Sequence, residues 1–310
     1  MELRYSILKV LAYFDIFDYP VSLEEIRFFL DQPVQEGDLK ATLETLLLEQ
    51  HLFRLGEFYS LQDHPWLAER RVKGNRKAEE MLKIAARSSR FLFQFPYVRG
   101  IGISGSLSKN YADENADIDY FIITQANRLW IARTFMHLFK KLSFLVGKQH
   151  WYCMNYYVDE DEMEIPEKNI FTAMEMITLL PAGGNGGLVR FFEANNWTNE
   201  YLPNYQHKKC QPEGRWHDSF LKKILEKLLD GRLGNWLDEY FQGLTSRRWQ
   251  EKEARGALNI KGEKMKLHTG KHFCRPNPEV LQKRVTAAYS NKLKVLEMRL
   301  QLNNPIRKHR

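Results

Sequence analysis

Two apolar segments, joined through a Gly-Ser turn and an acidic pair, restrict what this 310-residue chain can fold into. The first segment ends at Gly105-Ser106, and ten residues separate Ser106 from Asp117. Asp117 and Asp119 then open the second segment. Both segments have the pattern of buried strands, and side chains two apart on a strand point to the same side. Two neighbouring carboxylates repel each other, so we expect a cation between them.

The Gly-Ser turn predicts a phosphate site beside that cation. Glycine at position 105 lets the backbone approach a ligand closely. Ser106 and the amides that follow it open a predicted short helix, whose N-terminus favours phosphate. Asp117 and Asp119 offer the hard oxygen ligands that Mg²⁺ prefers when it also binds the phosphates of a substrate. Together these residues predict a site for a triphosphate and Mg²⁺.

The surrounding pattern indicates an α/β core over residues 66–165. A charged amphipathic helix over 67–93 precedes the first strand, and a helix closed by Gly147 separates the second strand from a third, WYCMNYYVDE (151–160). Alternation of helices and strands is typical of an α/β sheet. From residue 166 to 310 the pattern turns helical, and AGGNGG (182–187) is interpreted as a flexible turn because it lacks the lysine of a Walker motif.

The pattern of residues 1–65 predicts a separate domain whose net charge is opposite to that of the remaining chain. Three helices and a hairpin around Gly56 are typical of a winged helix. This segment carries a net charge of −7, against +14 for the remaining residues. The third helix is acidic, whereas phosphate contacts need basic side chains, so we do not expect this domain to bind DNA. A protein partner, or docking on the basic remainder of the chain, fits its charge better.

The stretch from Ile103 to Tyr120 resembles the nucleotidyltransferases of the DNA polymerase β-like superfamily. Their signature is a hydrophobic residue with Gly-Ser, a spacer of about nine to thirteen residues, and Asp-hydrophobic-Asp-hydrophobic. The resemblance covers roughly residues 90–160 and implies a mixed sheet with helices. It also implies that Gly105 and Ser106 bind the NTP phosphates and that Asp117 and Asp119 hold Mg²⁺.

The sequence departs from the family pattern at two places. Lys109 stands where small members carry an Arg-Gly or Lys-Gly pair, and it can still reach a phosphate. The third acid of the family normally lies on the next core strand, where this chain has Asn155. An amide oxygen can coordinate a metal but cannot act as a base. Asp159, at the end of that strand, and Glu175, on the following helix, are the candidate substitutes.

The resemblance implies a Mg²⁺-dependent transfer of a nucleoside monophosphate from an NTP, with ATP the expected one, to a hydroxyl acceptor that the sequence does not define. The alternative is a nucleotide-binding regulator or adaptor with a degenerate transferase site. No run of apolar residues is long enough to predict a membrane span, and three scattered cysteines are typical of the reducing cytoplasm. The cysteines and histidines also lack the spacing of a zinc site.

Two further segments are weaker candidates for ligand binding. The basic segment from Lys261 to Arg275 could bind the acceptor or the triphosphate if it folds over the site, or it could be a basic surface loop. The segment from Ala194 to Asn204 offers amides and aromatic rings for a base, although packing of Trp197 and Tyr201 in the core is the simpler interpretation.

Overall fold

The N-terminal part of the chain forms three helices and a small antiparallel sheet. The computed structural model describes residues 2–184, 186–205, 216–258, 267–276 and 279–302. The helix that starts after Ser22 has the predicted capping box, in which Ser22 and Glu25 each accept a hydrogen bond from the backbone amide of the other. The small sheet has the strand order β1-β3-β2. Its elements are α1 (Glu2–Asp15), β1 (Val21–Ser22), α2 (Leu23–Phe29), α3 (Glu36–Leu48), β2 (Phe53–Leu55) and β3 (Phe58–Ser60).

A six-stranded mixed sheet forms the centre of the protein, so the predicted α/β class is confirmed. Its strand order is β7-β4-β5-β6-β9-β8, in which β5 and β6 are parallel and the other neighbours are antiparallel. The strands are β4 (Val98–Ile103), β5 (Asp119–Thr124), β6 (Cys153–Asp159), β7 (Leu180–Gly184), β8 (Leu267–Thr269) and β9 (Phe273–Pro276). The sequence patterns predicted β4, β5 and β6.

The interpretation of 182–187 as a flexible turn was wrong. Gly183 and Gly184 belong to β7 and pair with Ile101 and Gly100 of β4. A Cβ atom at Gly184 would lie 2.7 Å from the carbonyl oxygen of Arg99. Gly184 therefore allows the backbones of β7 and β4 to approach closely, whereas a Cβ atom at Gly183 would overlap the ring of Trp216.

The region 166–310, predicted as helical, contributes three strands to the sheet as well as helices. Lys261, Lys264 and Lys266 of the basic segment lie outside the described residues. The later part of that segment forms the hairpin of β8 and β9, which pairs with β6 at Tyr157 and Val158. The basic-loop interpretation was therefore wrong for residues 267–275.

Helices cover both faces of the sheet. One face packs against α4 and α5, with Met81 and Trp130 among the buried side chains, and the other packs against α6 and α7, with Met176 and Phe191. In the part of the chain that the structure describes, no helix is long and apolar enough to cross a bilayer. The helices are α4 (Trp66–Leu92), α5 (Leu129–Ser143), α6 (Ile170–Ile177), α7 (Gly187–Ala194), α8 (Phe220–Leu228), α9 (Gly231–Ala254) and α10 (Glu279–Leu302), with 3₁₀ turns at Leu107–Lys109, Phe144–Val146, Gln149–Trp151 and Asn196–Glu200.

The acidic N-terminal part docks on the basic remainder of the chain. Its core is continuous with buried side chains of α6 and α10. Ion pairs join Asp15 to Lys292 and Glu25 to the buried Arg71 of α4. One of the two explanations offered for the charge asymmetry, docking within the chain, is thus what the structure shows.

Candidate functional site

The Gly-Ser turn and the second acid of the pair lie in contact. After β4, the amide of Ser104 donates to the carbonyl oxygen of Asp119 at 2.9 Å. Gly105 follows with φ of +71°, and a Cβ atom there would lie 2.8 Å from Oδ2 of Asp119. Position 105 thus requires glycine both for its left-handed backbone and for the space that the carboxylate occupies. Pairing of β4 with β5 therefore assembles the predicted phosphate turn and the predicted metal ligand into one site.

Asn155 lies at the same carboxylate because the pairing of β5 with β6 is irregular. Asp119 pairs with Cys153, but after Tyr120 the register shifts and skips Asn155. Asn155 is the extra residue of this bulge, and its Nδ2 donates to Oδ1 of Asp119 at 2.9 Å. A bulge commonly redirects one side chain in this way. The simple alternation assumed for the predicted strand is interrupted at this residue.

The carboxyl of Asp119 is buried close to other acids. Burial, together with the charges of Asp117 and Glu175, raises its pKa to about 6, while a hydrogen bond from Cys153 and the charge of Lys140 act in the opposite direction. A bound cation would offset the repulsion among these carboxylates. This observation agrees with the repulsion inferred from the sequence.

Asp117 pairs with a histidine that the sequence patterns did not single out. Nδ1 of His150 lies 2.5 Å from Oδ1 of Asp117, and both side chains are about half exposed, at 59% and 44%. The amide of Ile118 donates to the carbonyl of His150, which extends the β5–β6 pairing by one residue and carries His150 to the acids. A signal was present in the sequence, since His150 directly precedes the predicted strand that neighbours the acidic pair.

Lys109 also lies at the site, where its charge is already paired. Its Nζ is 3.2 Å from the carbonyl oxygen of Gly105 and 2.8 Å from Oε1 of Glu175. Its own carbonyl accepts a 2.6 Å hydrogen bond from the hydroxyl of Tyr19, so the N-terminal part of the chain touches the turn that follows Ser106. To bind Lys109, a phosphate would have to displace Glu175 or share the ammonium group with it.

The structure separates the two candidate substitutes for the third acid. Glu175 lies close enough to raise the pKa of Asp119 and is joined to the Gly-Ser turn through Lys109. Asp159 pairs with Thr124, at the opposite end of β5 from Asp119. Six residues of extended strand span about 20 Å. The prediction that Asp159 could act as a ligand at this site was therefore wrong.

The ligand atoms at the site are of the chemical type that Mg²⁺ prefers. Asp117, Asp119 and Asn155 offer oxygen atoms only, and Mg²⁺ is commonly held by one or two carboxylates together with water and substrate phosphates. Asn155 now directs its NH₂ group at Asp119, so its amide would have to turn over to present oxygen. Among the described residues, the group of three metal-ligating side chains with clustered ligand atoms lies elsewhere, at Asp159, Asp161 and His272.

The remaining candidates lie away from this site or within the core. Arg275 and His272 of the basic segment contact Glu167 and Asp159, toward the far end of β6. In the segment 194–204, Asn195 is buried and fixes the backbone at Ile165. Trp197 and Tyr201 pack against the core, as the simpler interpretation of that segment expected.

Comparison of the chain with family models, with curated proteins and with solved structures gives no match. A functional interpretation therefore depends on the residues and geometry described above.

Proposed function

We propose that this protein is a Mg²⁺-dependent nucleotidyltransferase that moves a nucleoside monophosphate from an NTP to a hydroxyl acceptor and releases pyrophosphate. The supporting observation is the contact between Gly105 and the carboxylate of Asp119. A phosphate held at the turn and a cation held at Asp119 would be neighbours, as phosphoryl transfer requires. In this proposal the mixed sheet is a core of the DNA polymerase β-like type, and residues 1–65 are a winged-helix-like domain.

Each residue of the site has a role in the proposed reaction. The backbone at Gly105 and Ser106 would hold the triphosphate, with Lys109 as a nearby positive charge. Asp117 and Asp119, with Asn155, would hold Mg²⁺, which supplies neutralisation of phosphate charge. The acceptor oxygen forms a bond to the α-phosphorus while the bond to the bridging oxygen of pyrophosphate breaks. Asn155 cannot take the hydroxyl proton, so Glu175, His150 or water would accept it.

A second function, a nucleotide-binding regulator, is favoured by one specific observation. Asn155 takes the position at Asp119 where the third carboxylate is expected, and it uses a donor group there. Two carboxylates are sufficient to bind Mg²⁺ and an NTP without supporting turnover. The hydrogen bond from Tyr19 to Lys109 would then connect the bound nucleotide to the N-terminal part of the chain.

The charge of the N-terminal part and the proposed nucleotide substrate indicate the partner and the compartment for either function. The acidic N-terminal part suits a basic protein surface better than DNA, because its exposed acids would repel phosphates. A protein that consumes or senses NTP and keeps unpaired thiols at Cys153 and Cys274 fits the cytoplasm.

Calorimetric titration with each of the four NTPs, with and without Mg²⁺, tests nucleotide binding, and a pyrophosphate assay tests turnover. We expect Mg²⁺-dependent binding by the native protein and its loss in the double variant Asp117→Asn with Asp119→Asn. Asp113→Asn is the matched control, because Asp113 is an exposed acid on the same connecting loop. Retained Mg²⁺-dependent binding in the double variant would exclude both functions.

Pyrophosphate release separates the two functions once binding is established. A transferase should release pyrophosphate when a cell extract or a fractionated pool of small molecules supplies the acceptor. A regulator should bind the nucleotide and return it unchanged in the same extract.

A further inference from the structure

A second group of ligand-type side chains lies at the far end of the sheet from Gly105. Asp159 ends β6, Asp161 follows it, and His272 immediately precedes β9. One ligand atom from each of these three residues lies within 4.8 Å of the other two. The group combines an imidazole with a fully buried carboxylate, whereas the acids of the first site, Asp117 and Asp119, are not fully buried.

The surrounding backbone holds Asp159 in a fixed position. The residue is fully buried. Its Oδ1 accepts from the amide of Asp161 at 3.0 Å, and its Oδ2 accepts from the amide of Asn127 at 2.9 Å. Nδ1 of His272 lies 2.9 Å from Oδ2 and 3.1 Å from Oδ1. Groups from three segments of the chain, at Asn127, Asp161 and His272, thus hydrogen-bond to the buried carboxylate of Asp159.

The side chain of Asn127 lies beside this group and carries a buried oxygen without a hydrogen-bond partner in the described part of the chain. Its Nδ2 donates to Oδ2 of Asp161 at 2.8 Å, which places the side-chain amide at the cluster. Its Oδ1 is buried and, among the described residues, accepts no hydrogen bond. A buried oxygen without a donor costs about 1–3 kcal/mol. Because Nδ2 now faces Asp161, the amide of Asn127 would have to turn over to bind a cation in the group, and this change would give the oxygen a partner.

We propose that Asp159, Asp161, His272 and Asn127 form a site for a divalent transition metal of the Zn²⁺ class. Imidazole nitrogen together with carboxylate oxygen suits Zn²⁺ better than Mg²⁺ or Ca²⁺. Ligand atoms about 2.0–2.2 Å from a tetrahedral zinc ion lie about 3–3.5 Å apart. The separations between Nδ1 of His272 and the oxygens of Asp159 already fall near this range. Binding of the metal at Nδ1 would place the ring proton of His272 on Nε2, and metal–ligand bonds would replace the hydrogen bond between His272 and Asp159.

Such a metal would have a structural role distinct from the proposed nucleotide site. Asn127 lies between β5 and α5, Asp161 follows β6, and His272 belongs to the hairpin of β8 and β9. A metal bound to all three would fix the hairpin to the middle of the sheet. No spacing pattern marks this group in the sequence, because 110 residues lie between Asp161 and His272.

The test uses the full-length chain after dialysis against a chelator. Zn²⁺ or Co²⁺ is then added, with Mg²⁺ as a comparison, while uptake and the thermal unfolding midpoint are measured. We expect saturable binding of one Zn²⁺, a rise in the midpoint, and the visible absorption of Co²⁺ bound to nitrogen and oxygen. Absence of saturable binding, or binding of Mg²⁺ in preference to Zn²⁺, would overturn the proposal.

Three variants locate the metal. Asp161→Asn and His272→Gln should each weaken Zn²⁺ binding at least tenfold, whereas Asp117→Asn with Asp119→Asn should bind Zn²⁺ as the native protein does. Asp161 is exposed, so its variant remains informative if the His272 variant fails to fold. Unchanged Zn²⁺ affinity in Asp161→Asn, or loss of affinity in the Asp117 and Asp119 double variant, would refute the assignment. Neither result depends on whether the protein binds NTP.

Discussion

Replacement of Gly105 by alanine tests the contact on which the proposed function depends. The left-handed backbone at φ +71° would cost a non-glycine residue about 1–2 kcal/mol. The new Cβ atom would lie 2.8 Å from Oδ2 of Asp119, closer than the 3.4 Å at which ordinary contact begins. Asp119 is a short side chain held by Asn155, so moving it weakens a charge-assisted hydrogen bond that contributes about 1.5–3 kcal/mol. The total loss of unfolding free energy should be about 2–4 kcal/mol.

Gly56→Ala is the matched control for this experiment. Gly56 has φ of +64°, and a Cβ atom there would meet nothing within 4 Å, so this variant carries the backbone cost alone. Urea unfolding should show a larger loss of stability for Gly105→Ala than for Gly56→Ala. Titration with Mg²⁺ and NTP should show at least tenfold weaker binding for Gly105→Ala and native affinity for Gly56→Ala. Equal losses of stability together with native nucleotide affinity would refute the proposed contact between the turn and the acid.

Two further predictions concern buried polar groups that support the fold. Burial raises the pKa of Asp238 to about 6, so the folded protein holds a proton that the unfolded chain releases above pH about 4. Stability relative to Asp238→Asn should therefore fall between pH 4 and 6, by at most about 3 kcal/mol, in urea titrations at each pH; a difference that does not change over this interval would contradict the raised pKa. Tyr19→Phe removes the hydroxyl that donates to the carbonyl oxygen of Lys109 at 2.6 Å and has Oε1 of Glu25 as a second acceptor at 3.0 Å, and should lower the unfolding free energy by about 1–2 kcal/mol; native stability in urea would show that this contact contributes nothing.

Local sequence patterns predicted the elements whose formation depends on residues near one another in the sequence. The strands before and after the acidic pair, the helix closed by Gly147 and the Ser22 capping box all follow from neighbouring residues. Strand β7 was missed because its glycines lack the side chains that mark a strand: Gly184 lets β7 approach β4, and Gly183 leaves room for the ring of Trp216. Strands β8 and β9 have three and four residues, too few to show a strand pattern, and β9 forms by pairing with the edge of β6.

The same distinction applies to the two candidate sites. Gly105 and Asp119 were predicted together because the chain brings both to one end of adjacent strands. The positions of Asn155 and His150 depend on the register of β5 against β6, which a one-residue bulge changes. The group at Asp159 and His272 depends on a contact between distant segments, which no spacing rule describes.

Asn155→Asp distinguishes a transferase that has lost its third acid from a site made only for binding. The change replaces a donor that lies 2.9 Å from Oδ1 of Asp119 with a second carboxylate. Without metal, the lost hydrogen bond and the new repulsion should lower the unfolding free energy by about 1–3 kcal/mol. Mg²⁺ should restore this loss, because the new carboxylate is an additional ligand.

Asn155→Ala is the control for this change, since it removes the donor without adding charge. In a transferase, Asn155→Asp supplies a group that can take the acceptor proton, and general-base catalysis contributes about 10²–10⁴ in rate. Pyrophosphate release should then rise in Asn155→Asp and not in Asn155→Ala. In a regulator, Asn155→Asp should bind Mg²⁺ more tightly without turnover. If the two variants have the same stability with and without Mg²⁺, Asn155 does not face the metal position, and both proposed functions lose their third ligand.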